Sequence, residues 1–250
     1  MLRNYLKITW RNFLRNKVYS FINIGGLSIG MAVCLLISLY VVDEIGYDHY
    51  HSKADRIYRI NFEAKFGGAD KEYATVPDAM GATLKNDYPF IETFARLRRN
   101  DVVVEKGSQT FREYTALFAD NSVFEVFDLP FIHGDSKTAL VQPYTVVLDE
   151  NTAIKYFGKT DAVGQSMIIH EDAYKVTGVM QNIPKNSHLR GRNMLLSLEA
   201  WKESKSNNWL SSNYNTYLVF KEGAKPEQLQ SQFGKVIGKY MLPQFTTVLG

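Results

Sequence analysis

The feature that most constrains this chain is an uncharged stretch from Val18 to Val42, which reads VYSFINIGGLSIGMAVCLLISLYVV. A helix of this length extends about 37 Å, which is more than the roughly 30 Å hydrocarbon core of a bilayer requires. A buried helix of a water-soluble domain seldom stays uncharged for so long, and the polar Asn23 lies close to the start of the stretch. The stretch therefore predicts a transmembrane helix.

The charged residues on either side of this stretch predict its orientation. Asp43, Glu44 and Asp48 follow it, whereas no acidic residue precedes it. Five basic residues do precede it, namely Arg3, Lys7, Arg11, Arg15 and Lys17. Because positive charge stays on the cytoplasmic side, we expect a cytoplasmic N-terminus and an external chain from about Asp43 onward.

A cleaved signal peptide is the alternative interpretation of a basic start followed by an apolar run. The run is longer than the apolar region of a signal peptide, and no small-x-small cleavage site follows Val42. We therefore expect the helix to be retained as an anchor.

Residues 1–17 have the pattern of an amphipathic helix. The four arginine and lysine residues from Arg3 to Arg15 recur at steps of four, and the apolar residues Leu2, Leu6, Trp10, Phe13 and Leu14 can share one face. Such a helix suits the inner headgroup layer, where anionic lipid attracts the charge. The alternative is a solvated juxtamembrane segment.

Small residues recur along one side of the apolar stretch, at Gly26, Gly30, Cys34 and Ser38. Small residues at this spacing let a second membrane helix approach closely. The pattern predicts that the helix packs in a bundle, with its partner either elsewhere in a longer protein or on another chain.

Composition restricts the function of the remaining chain. The net charge is +3, and removing the five basic residues of the N-terminal segment leaves −2 for the rest, which does not indicate a nucleic-acid partner. The single cysteine, Cys34, lies in the apolar stretch, so the external part has neither a disulfide nor a thiolate metal site. Hydrophobic residues make up 45% of the chain, enough for a packed core.

Residues 43–250 alternate between strand and helix patterns, which predicts an α+β domain. Asp78 is expected to favour a helix start after Pro77, and Asp149 to cap a helix that Gly158 ends. The predicted strands are 56–66, 90–104, 110–119, 144–148, 166–169, 174–180, 194–198 and 214–220. The predicted helices are 77–88, 123–127, 150–157 and one that begins at Pro226 and continues to Tyr240.

The segment from Ala153 to Thr160, which reads AIKYFGKT, matches only the loosest form of a phosphate-binding loop. Such a loop needs a glycine-rich turn after a strand, with a helix starting at its Lys-Ser/Thr end. Alanine replaces the first glycine here, and Gly158 lies where a helix should stop. We therefore do not predict a nucleotide site, and we expect no cofactor on this chain.

The sequence Asp48-His49-Tyr50-His51 contains ligand types that suit a metal ion, but no fourth ligand is close in sequence. An interfacial polar cluster is the preferred interpretation. His133, His170 and His188 lie alone among loop-like residues, and no cysteine outside the apolar stretch is available as a nucleophile. We predict no catalytic residue and no metal site, so the chain is not expected to be an enzyme.

Taken together, the chain resembles the N-terminal part of MacB/FtsX-type ABC-transporter permeases. The order and spacing of several short segments carry this resemblance, which spans nearly the whole chain. They are LKITWRNFLRNK at 6–17, GGLSIG at 25–30, YDHYH at 47–51, RIYR at 56–59, FEVF at 124–127, HGD at 133–135, YFG at 156–158, VGQ at 163–165, YKVTGV at 174–179 and PKNSH at 184–188.

The resemblance implies an inner-membrane subunit with a two-lobed periplasmic domain. One lobe would consist of β-α-β units and the other would be an inserted, β-rich lobe at about 110–187. The resemblance also implies a separate cytoplasmic ABC ATPase, a homodimer or paired permease, contact with membrane lipid, and a periplasmic adaptor. Movement driven by ATP would then act on hydrophobic, peptide or lipoprotein substrates outside the cytoplasm.

The family also needs further membrane helices after the periplasmic domain, so the chain is expected to be an N-terminal fragment or a truncated product. One alternative is a single-pass sensor or receptor with an external ligand-binding domain. A membrane-anchored enzyme is a second alternative, which the missing catalytic residues disfavour. The sequence leaves the substrate and the direction of transport open.

Overall fold

A computed structural model describes residues 2–66 and 69–249, without the side chains of Leu2, Leu6, residues 64–70 and Leu249. Its contacts divide the chain into two compact units, with the division between Tyr47 and Asp48. This division does not separate residues 110–187, so the boundary of an inserted lobe stays a prediction. The predicted apolar positions Leu2, Leu6 and Phe66 lie outside the described side chains.

The first unit consists of helix α1 (Leu2–Arg15) and helix α2 (Lys17–Ile45). The break falls at Asn16, whose backbone φ of −112° and ψ of 55° are not helical. Hydrogen bonds from Asn16 N to Asn12 O and from Ser20 N to Asn16 O span the break. Helices are therefore present over both predicted segments, and α2 extends beyond residues 18–42 at each end.

Helix α2 exposes its apolar side chains along its whole length. None of its side chains is buried within the described structure, and Phe21 and Leu36 are 80% and 66% exposed. Water would strongly oppose the exposure of so much continuous apolar surface, whereas a lipid bilayer solvates it. Among the described residues, α2 is the one helix that is long and apolar enough to cross a membrane.

The second unit combines strands with short helices. Its helices are α3 (Met80–Asp87), α4 (Val123–Val126), α5 (Glu150–Phe157), α6 (Pro226–Gln230), α7 (Phe233–Val236) and α8 (Leu242–Leu249). Its strands are β1 (Ile57–Ile60), β2 (Phe62–Phe66), β3 (Ala69–Tyr73), β4 (Ile91–Arg99), β5 (Val102–Lys106), β6 (Gln109–Glu113), β7 (Ala116–Ala119), β8 (Phe131–Gly134), β9 (Thr145–Asp149), β10 (Ser166–Ile169), β11 (Asp172–Met180), β12 (Met194–Ser197) and β13 (Asn215–Phe220).

Eleven of the described strands form one sheet in the order β1-β13-β4-β7-β12-β9-β11-β10-β5-β6, with β8 paired to β11. β13 is antiparallel to both β1 and β4, so β1 and β4 run in the same direction on either side of it. The β1-α3-β4 unit is therefore completed by a strand from near the end of the chain. β2 and β3 form a separate hairpin.

Both faces of the central sheet are buried. On β9, Val146 and Leu148 belong to one apolar cluster and Val147 belongs to the cluster on the opposite face. A third cluster lies between β13 and helices α3, α6 and α7. Strands covered on both sides need apolar residues at consecutive positions, which explains why β9 and β12 are buried at every residue.

The elements with local signals match the predictions. Asp149 Oδ1 accepts a hydrogen bond from Thr152 N at 2.8 Å, and Gly158 ends α5 with a left-handed φ of 73°. β10 and β11 form a hairpin, as their sequences predict, but its turn is His170 and Glu171 and not the predicted Glu171 and Asp172. Both turn residues have positive φ, which suits a two-residue hairpin turn.

Several longer predicted elements are wrong because each consists of separate pieces. The predicted strand 90–104 is β4 and β5, and the predicted strand 110–119 is β6 and β7; in each case the two pieces pair with different neighbours. The predicted strand 56–66 is β1 and β2. The predicted helix from Pro226 is divided into α6, α7 and a π-helical turn at Ile237–Met241. Strands β3 and β8 were not predicted.

Asp78 is expected from the sequence to favour a helix start, but α3 begins two residues later and the Asp78 side chain binds a distant loop. Its carboxylate accepts hydrogen bonds from Ser206, Ser211 and Asn213 at 2.7–3.0 Å. The same loop is held by Arg96, which donates to Ser204 O and pairs with Asp120. Asp78 is buried, so these bonds offset the cost of removing its carboxylate from water.

Gly134 on β8 provides a test of the sheet packing. A Cβ atom at this residue would lie 2.4 Å from the carbonyl oxygen of Thr177, and its φ is +94°. Gly134→Ala should therefore lower the free energy of unfolding by about 1–3 kcal/mol more than the control, because backbone atoms must separate. Gly164→Ala is the matched control, since φ is +88° there and no described atom lies within 4 Å. Equal destabilisation of the two variants in denaturant titrations would contradict the close approach.

Candidate functional site

Polar side chains from distant parts of the sequence meet where the chain enters the second unit, three residues after the end of α2. They come from the segment after α2, from the loop after α4 and from the loop before β12. We call this group the junction cluster, and its members are Asp48, Tyr50, His51, Ser52, Asp128, Ser187 and His188.

Asp48 joins the segment after α2 to the loop before β12. Its backbone N–H donates to Asn186 O at 2.8 Å, and its carboxylate accepts from His188 N at 2.9 Å. The second carboxylate oxygen lies 2.9 Å from His188 Nδ1. Asp48 has a φ of +60°, a left-handed conformation that Asp tolerates better than most residues. A positive-φ turn therefore lets one residue bind the loop with both its backbone and its side chain.

His51 joins the same segment to the loop after α4. Its ring is buried, with 4% of the residue exposed, and its Nδ1 accepts a hydrogen bond from Asp128 N at 3.1 Å. The His51 ring packs against Tyr50 and Phe127 at centroid distances of 3.9 and 5.1 Å. The segment 48–51 is thus held by two loops that lie about 60 residues apart in sequence.

Further hydrogen bonds complete the cluster. The Asp128 carboxylate accepts from both the backbone N–H and the hydroxyl of Ser52, while Tyr50 donates to Ser187 Oγ at 3.0 Å. Phe127 and Tyr217 enclose the apolar side of the cluster, since both rings lie within 5.4 Å of the His188 ring. Polar groups on one side and aromatic rings on the other fix the segment in a single position.

Ion pairs extend the attachment beyond the cluster. Lys53 Nζ and Arg56 Nη1 lie 2.9 and 2.7 Å from the two oxygens of Glu92 on β4. Arg56 also donates to the carbonyl oxygen of Phe220 on β13. These side chains are partly exposed, so each pair contributes at most about 1 kcal/mol. Their effect is mainly to fix the direction in which the chain enters β1.

The environment shifts three pKa values in the cluster, among them that of Tyr50, which burial raises. Burial opposes ionisation of Asp48, but the side-chain and backbone hydrogen bonds from His188 outweigh it and lower the pKa of Asp48 below its usual value. Burial lowers the pKa of the His51 imidazole, although the carboxylates of Asp48 and Asp128 oppose this effect. At neutral pH Asp48 is therefore charged and His51 is neutral.

The hydrogen bonds of the junction cluster suit a structural role, namely attachment of the segment 48–51 to the loops of the sheet domain. Among residues 2–66 and 69–249, no group of three or more His, Cys, Asp and Glu side chains is arranged to hold a metal ion. The aspartate at the centre of the cluster is occupied by hydrogen bonds from His188. What the arrangement does is to fix the chain that follows α2 to two loops of the sheet domain.

The predicted helix-packing residues share an open face of α2. Within the described structure, a Cβ added at Gly26 or Gly30 would meet nothing within 4 Å. The only cysteine, Cys34, is exposed, and Ser38 Oγ donates to the carbonyl oxygen of Cys34 at 2.8 Å. Their role in packing against another helix stays a prediction.

The predicted membrane-surface residues lie in the first unit. Arg3, Lys7, Arg11 and Arg15 are exposed on α1, and Lys17 begins α2. Contact of these residues with lipid also stays a prediction.

Residues 153–158 have a structural role. The segment forms most of α5, and Lys155 pairs with the buried Glu113 of β6. Tyr156 donates to the same carboxylate, and burial together with Glu113 raises the pKa of Tyr156 well above its usual value. Lys155 and Tyr156 therefore attach α5 to the neighbouring hairpin, whereas Lys159, the lysine of the loose phosphate-loop pattern, is exposed.

The prediction that His188 lies alone is wrong. His188 contacts Asp48 from a position 140 residues later, and Asp128 lies 76 residues after its partner Ser52. No signal in a single sequence relates residues so far apart. The one local hint was the density of polar and aromatic side chains at 48–51, which the polar-cluster interpretation already used.

The fold defines a protein with a candidate membrane helix and a large mixed α/β domain. Comparison with known families makes this class specific. The chain belongs to the family of the MacB-like periplasmic core domain, whose model matches residues 20–236. The candidate membrane helix α2 lies at the N-terminal end of the matched range.

Two solved structures support this fold. A domain from a protein described as a permease of Porphyromonas gingivalis has a TM-score of 0.66 at 21% identity and covers 76% of this chain and 83% of its own. The periplasmic region of MacB from Actinobacillus actinomycetemcomitans has a TM-score of 0.53 at 13% identity, with coverages of 77% and 84%. The extracellular domain of the noncanonic ABC-type transporter YknZ has a TM-score of 0.49 at 14% identity, with coverages of 70% and 87%. No curated protein matches the chain.

Replacement of Asp48 tests the junction cluster. Asp48→Asn keeps the size and the turn but loses the charge that His188 contacts, so the free energy of unfolding should fall by about 1–2 kcal/mol at pH 7. Because the pKa of Asp48 is lower in the folded protein, this contribution is complete above about pH 4 and is lost on further acidification. Denaturant titrations should therefore separate variant from wild type at pH 7 and bring them progressively together as the pH falls below about 4.

Asp55→Asn is the matched control, because Asp55 is an exposed aspartate a few residues later. It should change stability by less than about 0.5 kcal/mol. An effect of Asp55→Asn as large as that of Asp48→Asn would show that the cluster adds nothing specific.

Proposed function

We propose that this chain is the N-terminal part of a permease subunit that lies in the bacterial inner membrane with its N-terminus in the cytoplasm. The family match to residues 20–236 carries this proposal. The basic residues before the apolar stretch 18–42 and the acidic residues after it support the orientation, because cytoplasmic flanks of membrane helices are rich in Lys and Arg.

The sheet domain would transmit movement rather than catalyse a reaction. A separate cytoplasmic ATPase would supply the energy, and α2 would transfer a displacement to the domain through the chain at residues 46–48. The junction cluster supports this step, since it attaches Asp48 and His51 to two loops at once. We infer that the substrate is hydrophobic, or a peptide or lipoprotein, that is already outside the cytoplasm.

Assembly would use the two surfaces of the first unit. The small-residue face of α2 would pack against another membrane helix, in a homodimer or a paired permease. The basic residues of α1 would contact anionic lipid. A periplasmic adaptor would contact the sheet domain, and no nucleic acid or cofactor is part of this proposal.

A ligand-binding receptor is the second candidate, and one observation favours it. An apolar pocket of about 450 Å³ lies between β1, β13 and helices α6 and α7. Its lining includes Tyr58, Ile60, Phe220, Leu229 and Phe233. This volume suits a small molecule. A receptor requires no ATPase, so association with an ATPase separates the two candidates.

The orientation can be tested with single cysteines in a Cys34→Ser background. A membrane-impermeant maleimide should label Lys159→Cys in intact spheroplasts, because Lys159 is exposed on the sheet domain. Lys7→Cys on α1 should be labelled only after the membrane is permeabilised. The reverse pattern would exclude the proposed orientation and, with it, a periplasmic role.

Assembly can be tested by enlarging the small-residue face in the full-length permease. Gly26→Leu with Gly30→Leu should reduce the amount of ATPase that co-purifies by about tenfold, because each lost helix contact costs on the order of 1 kcal/mol. Ala32→Leu adds a similar side chain on the opposite face of α2 and should leave assembly unchanged. Equal yields from all variants would remove the packing role, and failure of the wild type to retain an ATPase would favour the receptor.

A further inference from the structure

His51 is a buried histidine whose two ring nitrogens differ in their surroundings. Nδ1 accepts the hydrogen bond of Asp128 N at 3.1 Å. Nε2 is buried and has no hydrogen-bond partner among the described residues. The carboxylate oxygen Oδ1 of Asp48 lies 4.0 Å from Nε2.

This geometry fixes the protonation state of the ring. A backbone amide can only donate, so Nδ1 must carry a lone pair, and the single proton of the neutral ring lies on Nε2. A second proton would have to bind Nδ1. It would then point at the N–H of Asp128, and two donors cannot form a hydrogen bond at 3.1 Å. Protonation of His51 is therefore incompatible with its contact to Asp128.

Charged and titratable groups face His51 from every side of the cluster. Asp48 lies on its own segment, Asp128 on the loop after α4, and His188 on the loop before β12. Tyr50 stacks on the ring, and Tyr217 of β13 contacts the neighbouring His188. The two carboxylates favour an imidazolium, whereas burial and His188 oppose it, and burial has the largest effect on the pKa of His51.

We propose that the contact between His51 Nδ1 and Asp128 N is a pH-sensitive attachment, which opens when His51 is protonated and releases the segment 48–52 from the loop after α4. The carboxylate of Asp128 also holds Ser52, so opening of this contact affects both attachment points on that loop. Its importance for coupling α2 to the sheet domain rests on the proposed permease function. The protonation chemistry itself does not.

The direction of the pH dependence follows from the location of the proton. In the closed contact His51 is neutral and its pKa is below the usual value, whereas an opened and hydrated His51 titrates near 6.5. The opened state therefore binds more protons, and the contact is stable above about pH 6.5 and weakens as the pH falls. Each further pH unit should raise the opened fraction about tenfold, until the pKa of the closed form is reached.

Hydrogen exchange of the chain in lipid nanodiscs tests this proposal. After correction for intrinsic exchange, protection of the Asp128 amide should fall about fivefold between pH 6.5 and 5.5 in the wild type. His51→Asn can still accept from this amide through Oδ1 but does not titrate, so its protection should not change. His49→Asn is the matched control, because His49 is an exposed neighbour, and it should behave as the wild type does.

Three results would overturn the proposal. These are an unchanged Asp128 amide in the acidified wild type, the same loss of protection in His51→Asn, or a wild-type nitrogen NMR spectrum at pH 7.5 that places the His51 proton on Nδ1. The NMR measurement needs no variant and stays decisive if His51→Asn does not fold. None of these measurements requires an ATPase or a substrate, so their failure is distinct from failure of the proposed function.

Discussion

The pairing of β13 with both β1 and β4 is the constraint on which the second unit depends. β1 and β4 are linked by α3 and run in the same direction, but they do not pair with each other. β13, a strand from near the end of the chain, lies between them and pairs with both. The residues of β13 divide between two apolar clusters, with Tyr217 and Val219 on one face and Leu218 and Phe220 on the other. The strand therefore joins the two layers of the core as well as the two ends of the domain.

The junction cluster lies beside this strand and uses it. Tyr217 packs against Phe127 and His188, so the position of β13 determines where the loops that hold Asp48 and His51 can lie. The attachment of the chain after α2 is thus supported by the same packing that completes the sheet. For the proposed permease function this matters, because a displacement of α2 reaches the domain through covalent bonds and is useful only if the receiving segment is fixed to a rigid body.

The elements that are determined by neighbouring residues could be predicted from the sequence. Asp149 and Gly158 delimit α5 through contacts within four residues, and the α2 stretch is apolar enough to be recognised alone. The elements that are determined by residues far away in the sequence could not be predicted. Strand character continues through residues 90–104, yet the chain changes partner strands between Arg99 and Val102. Asp78 is a residue type that favours a helix start, although the side chains that donate hydrogen bonds to it lie about 130 residues later. The candidate site could be located at 48–51, but its other half, at Asp128 and His188, could not.

The sequence separation of β1 and β13 also affects how the protein is made. Paired residues such as Ile57 and Val219 lie about 160 residues apart, so the contacts between these strands have a high contact order and form slowly. While the chain is still being synthesised, β1 has no neighbouring strand and β4 lacks one of its two neighbours. Unpaired strand edges readily join other chains. Biogenesis of this domain thus includes an interval in which protection by a chaperone, or rapid completion of translation, decides between folding and aggregation.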